Sequence, residues 1–246
     1  MHYRIAFVLN FSICYFLMKV MSAYVARENI ASYRDFFLSP YLSPRTLRLK
    51  VSSSFSSILM TFFLSTFLTF LLIFLGKTFL PMRYEFIILL APVILFLTEA
   101  VGALGQLLFY AFTPHSCPIH FRPLSSRNLG EFWGRHWNIW IQDWLKDISR
   151  SIRVSGTKRF LVIFLFSGLF HEAMVNLPYW LIYKKSYFGT MLAYFFIQAI
   201  GLKVEKNYLS GLNPVMKKTF MYLMVFLPSP LFVNVPLLTF LGFIHE

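Results

Sequence analysis

His171 lies in the run Phe164-Leu-Phe-Ser-Gly-Leu-Phe-His-Glu-Ala, where nearly every neighbour is apolar. An ionisable ring in hydrocarbon is expensive to desolvate, so such residues face a polar cavity or a partner. Imidazole is the side chain best suited to moving a proton near neutral pH. General-base chemistry is one reading of His171; a neutral ring bonded to a neighbouring helix is the other. Glu172 follows directly, but successive helical residues point about 100° apart, so it need not pair with His171. Glu99 is the other carboxylate inside an apolar run, and Glu205 has Lys203 and Lys206 close by, as in a surface ion pair. His115, Cys117 and His120 are metal-ligating types near one another, but the set is short and Pro-rich, and no metal is expected. No phosphate-binding Gly loop, zinc-spaced Cys pair or nucleophile elbow is present.

A second group lies in Glu131-Phe-Trp-Gly-Arg-His-Trp-Asn-Ile-Trp-Ile-Gln-Asp-Trp-Leu-Lys-Asp. Trp133, Trp137, Trp140 and Trp144 recur at helical steps and fall within about 60° of one another. Ile141 and Ile148 extend that stripe. Arg135, Asn138, Gln142 and Lys146 share the opposite face, with His136, Asp143 and Asp147 along a third edge. Tryptophan favours the membrane interface, its ring buried and its N–H wet. The expectation is an amphipathic interfacial helix whose polar face meets water or a cavity. The plainest role for the stripe is anchorage.

The elements that carry these residues are read from hydropathy. The chain is 57% hydrophobic and 20% aromatic, with 30 Phe, and only 13% is charged. That is about half the charge of a soluble domain. Residues 58–75, 86–112, 160–183, 187–202 and 216–243 are apolar blocks of the size a helix needs to cross a bilayer. The last holds Pro228, Pro230 and Pro236 and is expected to kink. Residues 5–25, despite Asn10 and Lys19, read as a first span. The fold expected is therefore all-α: a single polytopic domain over residues 1–246, with about six spans and the Trp-rich helix in the third loop. The formal net charge is +13. No nucleic-acid motif accompanies it, so the basic residues read as membrane-orienting. They concentrate in the first, third and fifth loops, while the second has only Lys77 and Arg83 and the fourth only Lys184 and Lys185. Those richer loops are expected on the cytoplasmic side. Cys14 and Cys117 form no disulfide framework.

Phe132-Trp-Gly-Arg-His-Trp-Asn138, followed some thirty residues later by Ser167-Gly-Leu-Phe-His171-Glu, resembles the wax synthase-like branch of the membrane-bound O-acyltransferases. The plant form of the first motif has a second Arg where this chain has His136. Pro118 to Ser126 resembles the approach to that motif. Gln198-Ala-Ile-Gly201-Leu-Lys-Val-Glu205 resembles a downstream Gly-to-Glu element in which many relatives carry His at the position of Gln198. The match spans about residues 118–205, and the chain is shorter than typical plant members.

The resemblance implies an acyl-CoA donor as co-substrate, a hydroxyl acceptor and no cofactor. It implies His171 as catalytic base and Asn138 as the second active-site residue. Arg135, Trp137, Gln142 and Ser167 are the expected substrate contacts. Arg135 is favoured for phosphate, with Arg122, Arg127 and Lys146 behind it. An alcohol is a poor nucleophile, and a base that takes its proton during attack contributes roughly 10²–10⁴-fold. The oxyanion formed needs a fixed donor, which an Asn amide can supply. A long-chain fatty alcohol is the default acceptor, giving a wax ester, with a sterol as the close alternative. The endoplasmic reticulum is the expected membrane in a eukaryote. A proton-coupled transporter using His171 and Glu99, or an inactive lipid-binding relative, are the readings from other classes.

Overall fold

The computed structural model of the chain describes residues 2–48, 54–79, 87–110, 112, 117–153 and 156–244. His115, Lys50 and Arg83 lie outside the described residues. Every regular element among the described residues is helical. In order they are α1 (His2–Val25), α2 (Tyr33–Phe37), α3 (Pro44–Arg48), α4 (Phe55–Phe79), α5 (Ile87–Phe109), α6 (Leu129–Glu131), α7 (Ile139–Ser151), α8 (Gly156–His171), α9 (Leu177–Tyr183), α10 (Thr190–Tyr208), α11 (Pro214–Phe226), α12 (Ser229–Phe232) and α13 (Val235–Leu241). Two π-helical turns, Phe132–His136 and Glu172–Asn176, follow α6 and α8.

Four helical stretches are long and apolar enough to cross a membrane: His2–Val25, Phe55–Phe79, Ala91–Phe109 and Lys158–Tyr183. Pro214–Phe232 with Val235–Leu241, bent by 81°, makes a fifth if the pair is one span. The six spans expected are thus four or five here. Of the expected block 187–202, residues 190–202 belong to α10, which carries Lys203, Glu205 and Lys206 in its last turns and is not among the apolar set.

The apolar surface is turned outward. Phe63, Phe67, Phe70 and Phe74 of α4 are exposed, while Ile58, Ser65, Thr69 and Gly76 are buried. A narrow stripe of mostly small residues lets a helix approach its neighbour closely when lipid, not water, covers the other faces. α4 packs chiefly on α5. α8 and α10 meet at Gly168, where a Cβ would stand 2.9 Å from the Leu192 Cα. One core cluster joins Tyr3 and Phe7 of α1 to Val93, Ile94, Val175, Tyr179, Met191 and the α13 leucines.

The Trp-rich segment departs from the continuous helix expected. Its first part is the π turn, Trp137 is extended, and Asn138 is left-handed (φ 39°) before α7 begins. Three of the four tryptophan N–H groups are spent inside the protein. Trp133 donates to Gln198 Oε1 (3.1 Å), Trp140 to the Cys117 carbonyl (3.0 Å) and Trp144 to the Met18 carbonyl (3.2 Å). Trp140 and Trp144 are buried. These rings hold the protein's own layers together, because each has both apolar neighbours and an internal acceptor.

Candidate functional site

One wall of the site is built from the segment that ends at Asn138. Asn128 caps α6 by accepting from the Glu131 N–H (2.7 Å). Glu205 of α10 accepts from the Leu129 and Gly130 N–H groups at 2.7 and 2.8 Å, so it anchors the entry to this segment and is not a surface ion pair. The Arg127 N–H donates to Glu131, and that bond holds the Glu131 carboxyl below the usual range. Gln198 joins Trp133 to the Met224 carbonyl (2.6 Å). Gly201 makes room between them: a Cβ there would lie 2.5 Å from Met224 Cε and 2.9 Å from Leu129 Cδ2. The first π turn closes when the Trp137 N–H reaches the Phe132 carbonyl, five residues back. Asn138 then turns left-handed, a conformation Asn adopts more readily than other non-Gly residues. Its Oδ1 caps α7 by accepting from the Ile141 N–H (3.2 Å). Gln142 donates to the Trp133 carbonyl and accepts from Lys146, bracing the π turn against α7.

The opposite wall is α8. His171 Nδ1 donates to the Ser167 carbonyl at 2.7 Å. In the neutral ring this fixes the tautomer and leaves Nε2 with its lone pair. Phe195 and Phe232 hold the ring from two sides, with centroids 4.8 and 5.2 Å away. The second π turn begins at the next residue. Its cause is local: Pro178 has no N–H for the Met174 carbonyl. The Leu177 N–H returns five residues to Glu172. Asn10 of α1 donates to the freed Ala173 and Met174 carbonyls (2.8 and 3.1 Å), and Tyr3 to that of Val175 (3.3 Å). Glu172 points elsewhere. Its carboxylate accepts from Asn176 and from the Leu192 N–H (3.0 Å), in a buried network that continues to Asn234 and Thr190.

Between these walls lies a cavity of about 450 Å³. His171, Ser167, Asn138, Trp133, Trp137 and Gln142 line it. Arg159, Phe160, Ile163, Phe164, Ser167 and His171 form one continuous face of α8 toward it. Arg159 is twelve residues from His171, or about 18 Å along the axis. Lys146 and Arg150 of α7 also line the cavity. Most of the rest of the wall is apolar, including Ile94, Leu95, Phe232 and Val233. π turns are rare and recur at functional sites; here one lies beside Asn138 and the other beside His171.

Five of the six residues expected at a site share this cavity. Arg135 does not: it is exposed and outside the lining. The shared face assumed for Arg135 and Asn138 required a regular helix, and the π turn with the extended Trp137 rotates them apart. Arg122 and Arg127 are likewise exposed and outside it, so the cations that line the cavity are Lys146, Arg150 and Arg159. Glu99 is not among the lining residues either. Among the described residues no three His, Cys, Asp or Glu side chains come together as metal ligands.

Besides Arg150 and Arg159, Ser229 and Thr98 carried no expectation from the sequence, and His120 carried a different one. Ser229 is buried in the cavity wall, and its hydroxyl has no hydrogen-bond partner among the described residues. The usual helical acceptor four residues back, the Val225 carbonyl, is already taken by Tyr194 (3.2 Å). Its placement after Pro228 was the only available signal. His120 and Thr98 form the other contribution, described below. Compared with known protein families, curated proteins and solved structures, the chain matches none.

Proposed function

We propose that this protein is an integral-membrane acyltransferase that moves a fatty acyl group from acyl-CoA to a lipophilic alcohol. The observation that carries the reading is the presentation of His171. Its Nδ1 is committed to Ser167, its Nε2 is left as a base, and it faces one cavity with the amide-bearing Asn138. The cavity wall is mostly apolar away from Lys146, Arg150 and Arg159, which favours a lipid substrate.

His171 Nε2 takes the alcohol proton as the oxygen attacks the thioester carbonyl carbon. The C–O bond forms, and the carbonyl oxygen becomes an oxyanion. Asn138 stabilises it: with Oδ1 held by the Ile141 N–H, the amide Nδ2 remains as donor. Collapse breaks the C–S bond, and the departing CoA thiolate recovers the proton from the imidazolium. The products are an ester and free CoA, with no covalent enzyme intermediate. Lys146, Arg150 and Arg159 suit the CoA phosphates. The separation of Arg159 from the base, about 18 Å along α8, is one an extended pantetheine arm can bridge. Ser229 offers a second polar contact to a bound ligand. A long-chain fatty alcohol is the favoured acceptor, with a sterol as the alternative.

The test supplies membranes containing wild type or His171→Ala with radiolabelled acyl-CoA and a panel of alcohols and sterols. Ester from the wild type, lost in His171→Ala, is expected. Ester formation that survives in the variant removes His171 as base, and no ester with any acceptor removes the acyl-transfer reading. Asn138→Ala, at unchanged protein level, is expected to lower kcat by about 10²–10³-fold.

A further inference from the structure

The strap that precedes the Trp-rich segment runs back along it in opposite sense. The Phe121 N–H donates to the His136 carbonyl (2.9 Å), the Ile139 N–H donates to the Ile119 carbonyl (2.8 Å), and His136 Nδ1 donates to the Phe121 carbonyl. The strap is fixed at its back. Ile119 fits over Gly102 of α5, where a Cβ would come within 2.9 Å, and Tyr41 accepts from the Cys117 N–H (2.9 Å). Between these two main-chain bonds lies the Asn138 N–H, which the left-handed turn aims away from any backbone acceptor of the strap. His120 Nδ1 accepts it at 3.0 Å. An Nδ1 that accepts leaves Nε2 protonated, and Nε2 donates to Thr98 Oγ1 at 2.8 Å. Thr98 in turn donates to the Ile94 carbonyl (2.8 Å). His120 is 5% exposed, and its ring lies against Trp137, centroids 4.4 Å apart.

We infer that His120 is a positioning residue for Asn138, a neutral strut that transmits the rigidity of α5 to the left-handed turn and so holds the Asn138 amide at the cavity wall. The inference rests on the acyl-transfer reading for its kinetic consequence but not for its structural one. Both ring nitrogens are spent on fixed partners, so the ring has no free lone pair for a substrate. Trp137, the residue on which it lies, itself lines the cavity with Thr98 and Asn138, so the strut and the amide form one unit of wall.

Two readouts separate the strut from general damage. Hydrogen–deuterium exchange is followed for the peptide 132–141, with 214–226 as reference. In His120→Ala the first is expected to exchange about tenfold faster and the second to stay unchanged. Ester formation in the same variant is expected to lose roughly 10–100-fold in kcat, since a misplaced group costs that much. KM for the alcohol should stay within about twofold. His120→Asn, whose Oδ1 occupies the place of Nδ1, is expected to restore most of both. Thr98→Val removes only the far anchor and serves if His120→Ala does not accumulate; a smaller change in the same direction is expected. Unchanged exchange at 132–141, or unchanged kcat in an active enzyme, overturns the inference. A wild type that forms no ester, while His120→Ala still frees the peptide, removes the acyl-transfer reading and leaves the strut in place.

Discussion

Two histidines at the candidate site differ in how their nitrogens are spent. His171 gives one N–H to a carbonyl of its own helix and keeps a lone pair. His120 has a partner at each nitrogen. Burial pushes the His120 imidazole down to about 3 from an ordinary 6.5. Its neutral form is therefore the folded one, and its contribution to stability is present above pH 6.5. That contribution is lost as pH falls from 6.5 toward 3, because the unfolded chain takes up the proton. Thermal unfolding in detergent at pH 7 and pH 5 is expected to show a drop in wild type, equivalent to about 1–2 kcal/mol, that is reduced in His120→Asn. The sequence made His171 legible because one ionisable ring in a run of Phe and Leu is conspicuous. It hid the role of His120, whose partners lie on α5 and on a main-chain N–H eighteen residues away. It misplaced Arg135 for a related reason: a face drawn at 3.6 residues per turn fails where the helix widens.

At the scale of elements, the site depends on two interrupted helices that other elements must repair. The second π turn leaves carbonyls without helical donors, and α1 supplies Asn10 and Tyr3 to them. Asn10→Leu keeps the apolar character of α1 and strands two carbonyls. It is expected to cost about 1–3 kcal/mol, read as a lower thermal midpoint. Gly168→Ala places a methyl 2.9 Å from the Leu192 backbone, which cannot step aside as a side-chain tip would. Separation of α8 from α10 should cost about 1–3 kcal/mol and lower ester formation with it. Gly201→Ala meets the flexible Met224 terminus as its nearest atom and should be milder. Helix content and the apolar blocks could be read from composition. The π turns could not, because Pro178 announces a lost bond but not how the backbone absorbs it. Asn10, in the same way, looked like an awkward residue in a span until its partners appeared.

At the scale of the molecule, the outward phenylalanines of α4 and the exposed Ile5, Leu9, Phe16 and Leu17 of α1 make a surface suited to lipid. The protein is expected to stay in the pellet when membranes are extracted with alkaline carbonate; release into the supernatant would contradict a spanning fold. The cations at one end of the cavity belong to α7 and α8 together. Charge reversal at Arg150 should raise KM for acyl-CoA with little change in kcat, and the increase should shrink in high salt, since exposed charges are screened. An equal effect at high salt would mean that the side chain acts through packing. Arg150 is also 3.4 Å from Asp147, so Arg150→Gln is the companion that separates lost attraction from new repulsion.

The clip between Asn10 and the carbonyls of Ala173 and Met174 joins residues 163 and 164 positions apart. During synthesis the first helix therefore enters the bilayer with an amide that has no mate until most of the chain has left the ribosome. Lys19 is in a similar position for a shorter time, since the oxygens it binds belong to Ser39 and Tyr41. Chaperones of membrane insertion would have to shelter that helix through the interval. Chains stalled before residue 173 should be cleared faster by quality control than chains stalled after the clip has closed.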